Sequence, residues 1–182
     1  MTTASNVTVS KPANTGGAVH ACKLPLGSGV ALPTDTSTTV PTAFADMGYI
    51  SDDGVKNAEE RETESIKAWG GDEVAKPQTG KSDVFTMKFI EALNTDVLKV
   101  SHGEGNVTGN LTSGMTVKHN ADELDHYAWV IDMIMTGGVK HRKVIPDGQV
   151  TEIGEVVYVD GEAVGYEATI TAYKFVDRKS VV

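Results

Sequence analysis

From Tyr127 onward the chain alternates with a period of two. Tyr127, Trp129, Ile131, Met133 and Met135 interleave with Ala128, Val130, Asp132 and Ile134. Successive side chains of a strand point to opposite faces, so this pattern predicts a strand with one large-apolar face. Gly137-Gly138 predicts a tight turn into a second strand over 139–145. Pro146-Asp147-Gly148 predicts another turn, because Pro presets φ and Gly accepts positive φ. A strand over 150–159 follows, then Asp160-Gly161, a strong two-residue hairpin signal. Over 163–176, Val164, Tyr166, Ala168, Ile170 and Ala172 share one face, with Glu167, Thr169 and Thr171 opposite. Four strands joined by three tight turns make an antiparallel meander.

Upstream, residues 83–91 alternate Phe85, Met87 and Phe89 against Val84, Thr86 and Lys88. Shorter strands are predicted at 18–24 and 46–50. In NTDVLKVSHG, Asn94 or Thr95 can cap a helix, Asp96 suits its first turn, and Gly103 stops it. The expected fold is mainly β, an antiparallel sandwich or barrel over residues 19–176 with one short helix at about 95–102. Residues 1–18 are rich in Ser, Thr, Asn and Gly without an apolar period, and read as a flexible arm that orders against a partner subunit. Residues 177–182 form a C-terminal tail.

At 182 residues and 40% hydrophobic, the chain is material for one domain. The single cysteine, Cys22, excludes an intramolecular disulfide framework and suits a reducing compartment. No run approaches the roughly 20 apolar residues that cross a bilayer. The N-terminus lacks a secretory h-region, so the expected place of synthesis and assembly is the cytoplasm, without membrane insertion. Net charge is −9, and the densest basic stretch holds only Lys140, Arg142 and Lys143. A surface that grips nucleic acid needs more clustered cations than that.

Two local patterns suggest chemistry. AKPQTGKS, residues 75–82, satisfies a loose phosphate-loop pattern ending in Gly80-Lys81-Ser82, and AWVID imitates an apolar strand ending in a metal-binding Asp. A phosphate loop needs a buried parallel strand before it and a helix after it. Here glycine-rich charged sequence precedes it, Pro77 lies inside it, and alternation follows it. A polar turn between strands is the simpler reading, with a small nucleotide hydrolase as the alternative. Asp122, Glu123, Asp125 and His126 suit a metal site, an acid–base pair or, more simply, a solvated turn entering a strand. No catalytic residue, metal ligand or cofactor is predicted.

The stretch ERETESIKAWGGDEV, residues 60–74, surrounds one indole with five acids and two bases. Residues 52–80 hold too few apolar groups to build a core of their own. They are expected to form an extended hairpin arm, reversing at Gly70-Gly71, whose Ile66, Trp69 and Val74 pack on neighbouring subunits. The competing expectation is that Trp69 folds back on its own domain.

Specific strings carry a further signal: GYISDDGV (48–55), ERETESIKAWGGD (60–72), FIEALNTDVLKVSHGEGNVTG (89–109), WVIDMIMTGG (129–138), VIPDGQVTEIGEVVY (144–158) and AVGYEATITAY (163–173). Over about residues 19–175 the chain resembles the major tail tube proteins of long, non-contractile-tailed phages, particularly those of Gram-positive and actinobacterial hosts. The resemblance implies homohexameric rings stacked into a hollow tube, with a helix outside the channel sheet and a hairpin reaching the adjacent ring. It also implies a tape-measure protein, a tail terminator and distal tail or baseplate proteins as partners, and genome DNA passing through unbound. Six copies of −9 make −54, an acidic wall along which phosphate slides. Glu167, Thr169 and Thr171 are candidates for the channel lining, and outward exposure to solvent reads equally well. A monomeric β-sandwich binding module, with Trp69 stacking on a sugar ring, is the remaining alternative.

Overall fold

In a computed structural model that describes residues 3–174, the strand carrying Trp129 is the spine of the molecule. The strands in chain order are β1 (Ser10–Pro12), β2 (Val19–Lys23), β3 (Ala45–Asp46), β4 (Ile50–Thr63), β5 (Ile66–Lys67), β6 (Glu73–Ala75), β7 (Gln78–Phe89), β8 (Val107–Asn110), β9 (Gly114–Val117), β10 (His126–Met135), β11 (Val139–Ile153) and β12 (Tyr166–Ala172). One α-helix, α1 (Thr95–His102), lies between β7 and β8. Eight strands form one sheet in the order β3-β2-β10-β11-β12-β7-β4, with β1 added beside β10. Every pairing in it is antiparallel. The chain is therefore mainly β with one short helix, as the alternation predicts.

The alternation sets which face is buried. Trp129, Ile131, Phe85, Met87, Phe89, Ala168 and Ile170 point to one side and are almost wholly buried. Helix α1 closes that side with Val97, Leu98 and Val100, and the β8–β9 hairpin adds Val107, Met115 and Val117. Asn94 caps the helix by accepting from the Asp96 N–H at 3.0 Å, and Gly103 ends it at φ 92°. Both ends fall where the sequence places them. On the other side, beside β2 and β10, residues 24–44 fold over Cys22, Ala128 and Val130. That loop carries no strand of its own and is pinned by Arg142. The guanidinium donates to both Asp132 carboxylate oxygens at 2.5 and 2.8 Å, and to the carbonyls of Asp35 and Thr38 at 2.8 and 2.6 Å. An arginine buried to 7% exposure is tolerable because its donors are used this fully.

Three local expectations are corrected. Pro146-Asp147-Gly148 makes no turn: β11 runs unbroken from Val139 to Ile153, and the three residues sit at a bulge where the register against β10 slips between Tyr127 and Trp129. A bulge accommodates Pro, which has no N–H for a ladder. It also brings the Gly148 carbonyl to 3.1 Å from the Trp129 indole N–H, and a Cβ on Gly148 would lie about 3.0 Å from both Trp129 and Ile170. Second, residues 154–165 are a loop, so Asp160-Gly161 turns within it and joins no ladder. Three strands stand where four were expected. Third, the N-terminal arm is partly paired within its own chain. β10 continues past the end of β2, and β1 fills the vacant edge by pairing Ser10, Lys11 and Pro12 with Met135, Ile134 and Met133. The expected tail over 177–182 lies outside the described residues.

Trp129 is 0% exposed and stacks on Phe89 with ring centroids 6.4 Å apart. Trp129→Phe should keep most of the packing but leave the Gly148 carbonyl without its donor, destabilising by about 1–3 kcal/mol. Trp129→Ala should lose about 3–5 kcal/mol. Denaturant melts of both variants check this, and equal losses would assign the whole effect to the hydrogen bond.

His102, at the end of α1, lies edge-on to His119 at 4.8 Å and Tyr166 at 5.3 Å. Burial, with a smaller contribution from the His119 charge, pushes its pKa below the ordinary 6.5. The unfolded chain then binds this proton more readily than the folded one. Stability from neutral His102 is complete above about pH 6.5 and falls as pH drops toward the folded value. Between about pH 7 and about pH 5 the wild type should lose more stability than His102→Gln, a comparison thermal melts make directly. Parallel pH profiles would refute it.

Candidate assembly surfaces

The arm expected over 52–80 is a hairpin of β4 and β7. Val55 pairs with Met87 at the domain edge, and the ladder continues outward through Ala58–Val84, Glu60–Ser82 and Glu62–Gly80 to Thr63–Gln78. Beyond it β5 and β6 pair Ile66 with Ala75 and Lys67 with Glu73. The main chain reverses at Gly70 and Gly71, at φ 121° and 98°, closed by Ala68 N–H to Asp72 O at 2.8 Å. With no Cβ, both glycines adopt this left-handed region without strain. The outer part of the arm has no apolar interior. Glu59 is held instead between Lys81 at 2.6 Å and Arg61 at 3.1 Å, and the Lys81 ammonium first, then Arg61, keeps its carboxyl below the usual range.

Trp69 stands at the tip, fully exposed at 108%, with Ile66 and Val74 also exposed. The expectation that it folds back on its own domain does not hold. The five residues Ile66, Trp69, Gly70, Gly71 and Val74 are brought together at one end of the molecule.

Gly80-Lys81-Ser82 lies within β7, paired to Glu62, Arg61 and Glu60. Extended backbone gives its N–H groups to a ladder and cannot wrap them around phosphate, and Lys81 is engaged by Glu59. The phosphate-loop reading of these residues is thereby removed. Equilibrium binding of ATP or GTP should show no micromolar site that disappears with Lys81→Ala; finding one would restore it.

Glu167, Thr169 and Thr171 lie together on the sheet face opposite α1, Glu167 exposed and the threonines half-buried. Their neighbours across β7 are Lys88, Thr86 and Val84. On the β11 side Glu152 faces Thr169, and the hydroxyls of Thr151 and Thr171 lie 2.9 Å apart. This face is polar and rich in hydroxyls. Asp122, Glu123, Asp125 and His126 do not converge: Asp122 meets Asn120, Glu123 accepts from Gln149 at 3.1 Å, Asp125 from Lys23 at 2.7 Å, and His126 lies 2.6 Å from Asp147. Among the described residues no cluster of His, Cys, Asp and Glu could hold a metal, and no helix is long and apolar enough to cross a membrane.

One surface was missed from sequence. An apolar groove of about 740 Å³ lies between Leu93, Leu111, Tyr158 and Val164. Leu93, Leu111 and Tyr158 are all more than 60% exposed. Their signal was lost because 150–159 reads as a strand, in which Tyr158 would count as one face of a ladder.

One helix, one antiparallel sheet and a projecting hairpin define a mainly β domain with an extended arm. The family model described as Phage tail tube protein matches residues 23–181, most of the chain, and the chain belongs to that family. Its role is structural, as a component of a virion tail tube. No curated protein matches it.

Proposed function

We propose that the chain forms homohexameric rings that stack into a hollow conduit for genome delivery. The observation that carries this is the arm, which presents a bare indole at the end of a hairpin without a core. A large aromatic fully in water marks a surface meant to be covered. Burying roughly 150–250 Å² of indole could contribute on the order of 4–6 kcal/mol before docking costs are subtracted. Six such contacts per ring would favour assembly while a lone subunit stays dissolved.

Two further features support ring closure. The sheet ends in open edges on both sides, β4 at one and β3, β2 and β1 at the other. Unpaired backbone groups on opposite edges suit edge-to-edge joining of copies into a closed sheet. The hydroxyl-rich face with Glu167, Thr169 and Thr171 then lines the channel, and the acidic total keeps DNA from adhering. Assembly takes place in the host cytoplasm around a tape-measure protein, bounded by a tail terminator and by distal tail or baseplate proteins. The arm's first 18 residues add contacts between copies, and residues 19–176 with the 52–80 arm act as one assembling domain. A monomeric binding module would use Trp69 on a ligand and make no tubes.

Trp69→Ala decides between these. The variant should keep the β circular-dichroism spectrum and the cooperative melt of the wild type but elute as a monomer, with tubes reduced at least about tenfold in negative-stain images, since loss of about 1.4 kcal/mol per contact already means a factor of ten. Normal polymerisation by the variant would remove the arm from assembly.

A further inference from the structure

The dipeptide Asp-Gly occurs three times, at Asp53-Gly54, Asp147-Gly148 and Asp160-Gly161. In such a pair the side-chain carboxyl carbon lies one ring closure from the next residue's amide nitrogen, and glycine has no Cβ to obstruct the approach. The fold treats the three differently. Asp147-Gly148 is locked. Gly148 sits in the β11 bulge between Tyr127 and Ala172, where a Cβ would lie 3.0 Å from Trp129 and Ile170. The Asp147 carboxylate lies 2.6 Å from His126 Nδ1, and the Asp147 carbonyl accepts from the Tyr173 N–H at 2.9 Å. Asp53-Gly54 lies where the β4 ladder is interrupted, with pairing resumed at Val55 and Lys56 Nζ 3.9 Å from the Asp53 carboxylate. Asp160-Gly161 is open. Both residues are exposed in a turn within residues 154–165, and Gly161 has φ 89° with nothing within 4 Å of its Cβ position. Among the described residues no backbone hydrogen bond holds the Gly161 N–H and no cation pairs with Asp160.

We propose that Asp160-Gly161 is a site of spontaneous covalent modification, the isomerisation of Asp160 to isoaspartate. The Gly161 amide nitrogen attacks Asp160 Cγ and a C–N bond forms. The amide proton and the carboxyl hydroxyl leave together as water, and a succinimide ring closes. Water then opens the ring at either carbonyl. Opening at Cγ restores aspartate. Opening at the former backbone carbonyl leaves that carbon as the free carboxylate and routes the main chain through Cβ and Cγ. No oxidant, reductant or cofactor takes part, and mass is unchanged. The product has one more main-chain carbon between Val159 and Gly161, in the loop that supplies Tyr158 and Ala163 to the apolar groove. The chain thus carries an ageing site at the rim of that groove, while the packing around Trp129 preserves the same dipeptide in β11.

Peptide mapping tests this with an internal control. Trypsin releases Asp147 and Asp160 in one peptide, residues 144–174, because Lys143 and Lys174 flank it. The folded chain is stored warm near neutral pH for weeks, then mapped by electron-transfer fragmentation and by Asp-N protease, which does not cut before isoaspartate. Isoaspartate at Asp160 should exceed that at Asp147 at least about tenfold, the ratio that a barrier difference of about 1.4 kcal/mol produces. In denaturant the two rates should converge, since local sequence alone then governs them. Asp160→Glu, whose longer side chain closes the ring poorly, should keep the wild-type melt and lose most of the methyl uptake catalysed by an isoaspartyl methyltransferase. Equal isoaspartate at Asp147 and Asp160 in the folded chain, none at Asp160, or unchanged methyl uptake by Asp160→Glu would overturn the assignment.

Discussion

The indole of Trp129 and the bulge in β11 define each other. β10 is hydrogen-bonded on both sides, and Trp129 leans from it across the sheet onto Phe89 while donating to the Gly148 carbonyl. The bulge brings that carbonyl within reach, and it suits a glycine because a Cβ would press on both Trp129 and Ile170. Each shift of one residue in a strand moves its side chains to the other face. The slip at Tyr127/Trp129 thus decides which residues of β11 face the core and, through the β11–β12 ladder, helps set which face Glu167, Thr169 and Thr171 occupy.

The two faces of the sheet are closed by different physics. On one side α1 and the β8–β9 hairpin supply apolar groups in numbers, and burial is the main force that holds them, with the Asn94 amide donating to the Asp46 carbonyl at 3.3 Å. On the other, residues 24–44 contribute a smaller apolar patch and rely on Arg142 for anchorage. Arg142 and Asp132 are opposite one another on β11 and β10, so the ladder itself places the pair whose guanidinium then holds the loop carbonyls of Asp35 and Thr38.

The arm follows the reverse logic. Its ladder of charged and polar residues is satisfied by backbone pairing and by surface ion pairs, which individually add little stability. What it carries instead of a core is a small apolar group, Ile66, Trp69 and Val74, exposed at its end.

Much of this was legible in the residues. A strict two-residue period fixes strand identity and face for β7, β10 and β12 wherever it occurs, because backbone geometry alone enforces the alternation. The cap at Asn94, the stop at Gly103 and the reversal at Gly70-Gly71 are equally local, each depending on what one backbone position can adopt. The tip residues Ile66, Trp69 and Val74 were found by what their neighbours lacked. Pro146-Asp147-Gly148 and Asp160-Gly161 were misread because turn chemistry describes what a segment permits, and the partners of β10 and β12 chose an extended bulge for the first and a loop for the second. The pairing of β1 with β10, the Arg142 anchor and the groove around Leu93 were not readable at all. Each joins residues tens of positions or more apart, and sequence carries no record of such proximity. Local preference determined the elements; the competition among strands for hydrogen-bonded neighbours and for a buried face decided how they meet.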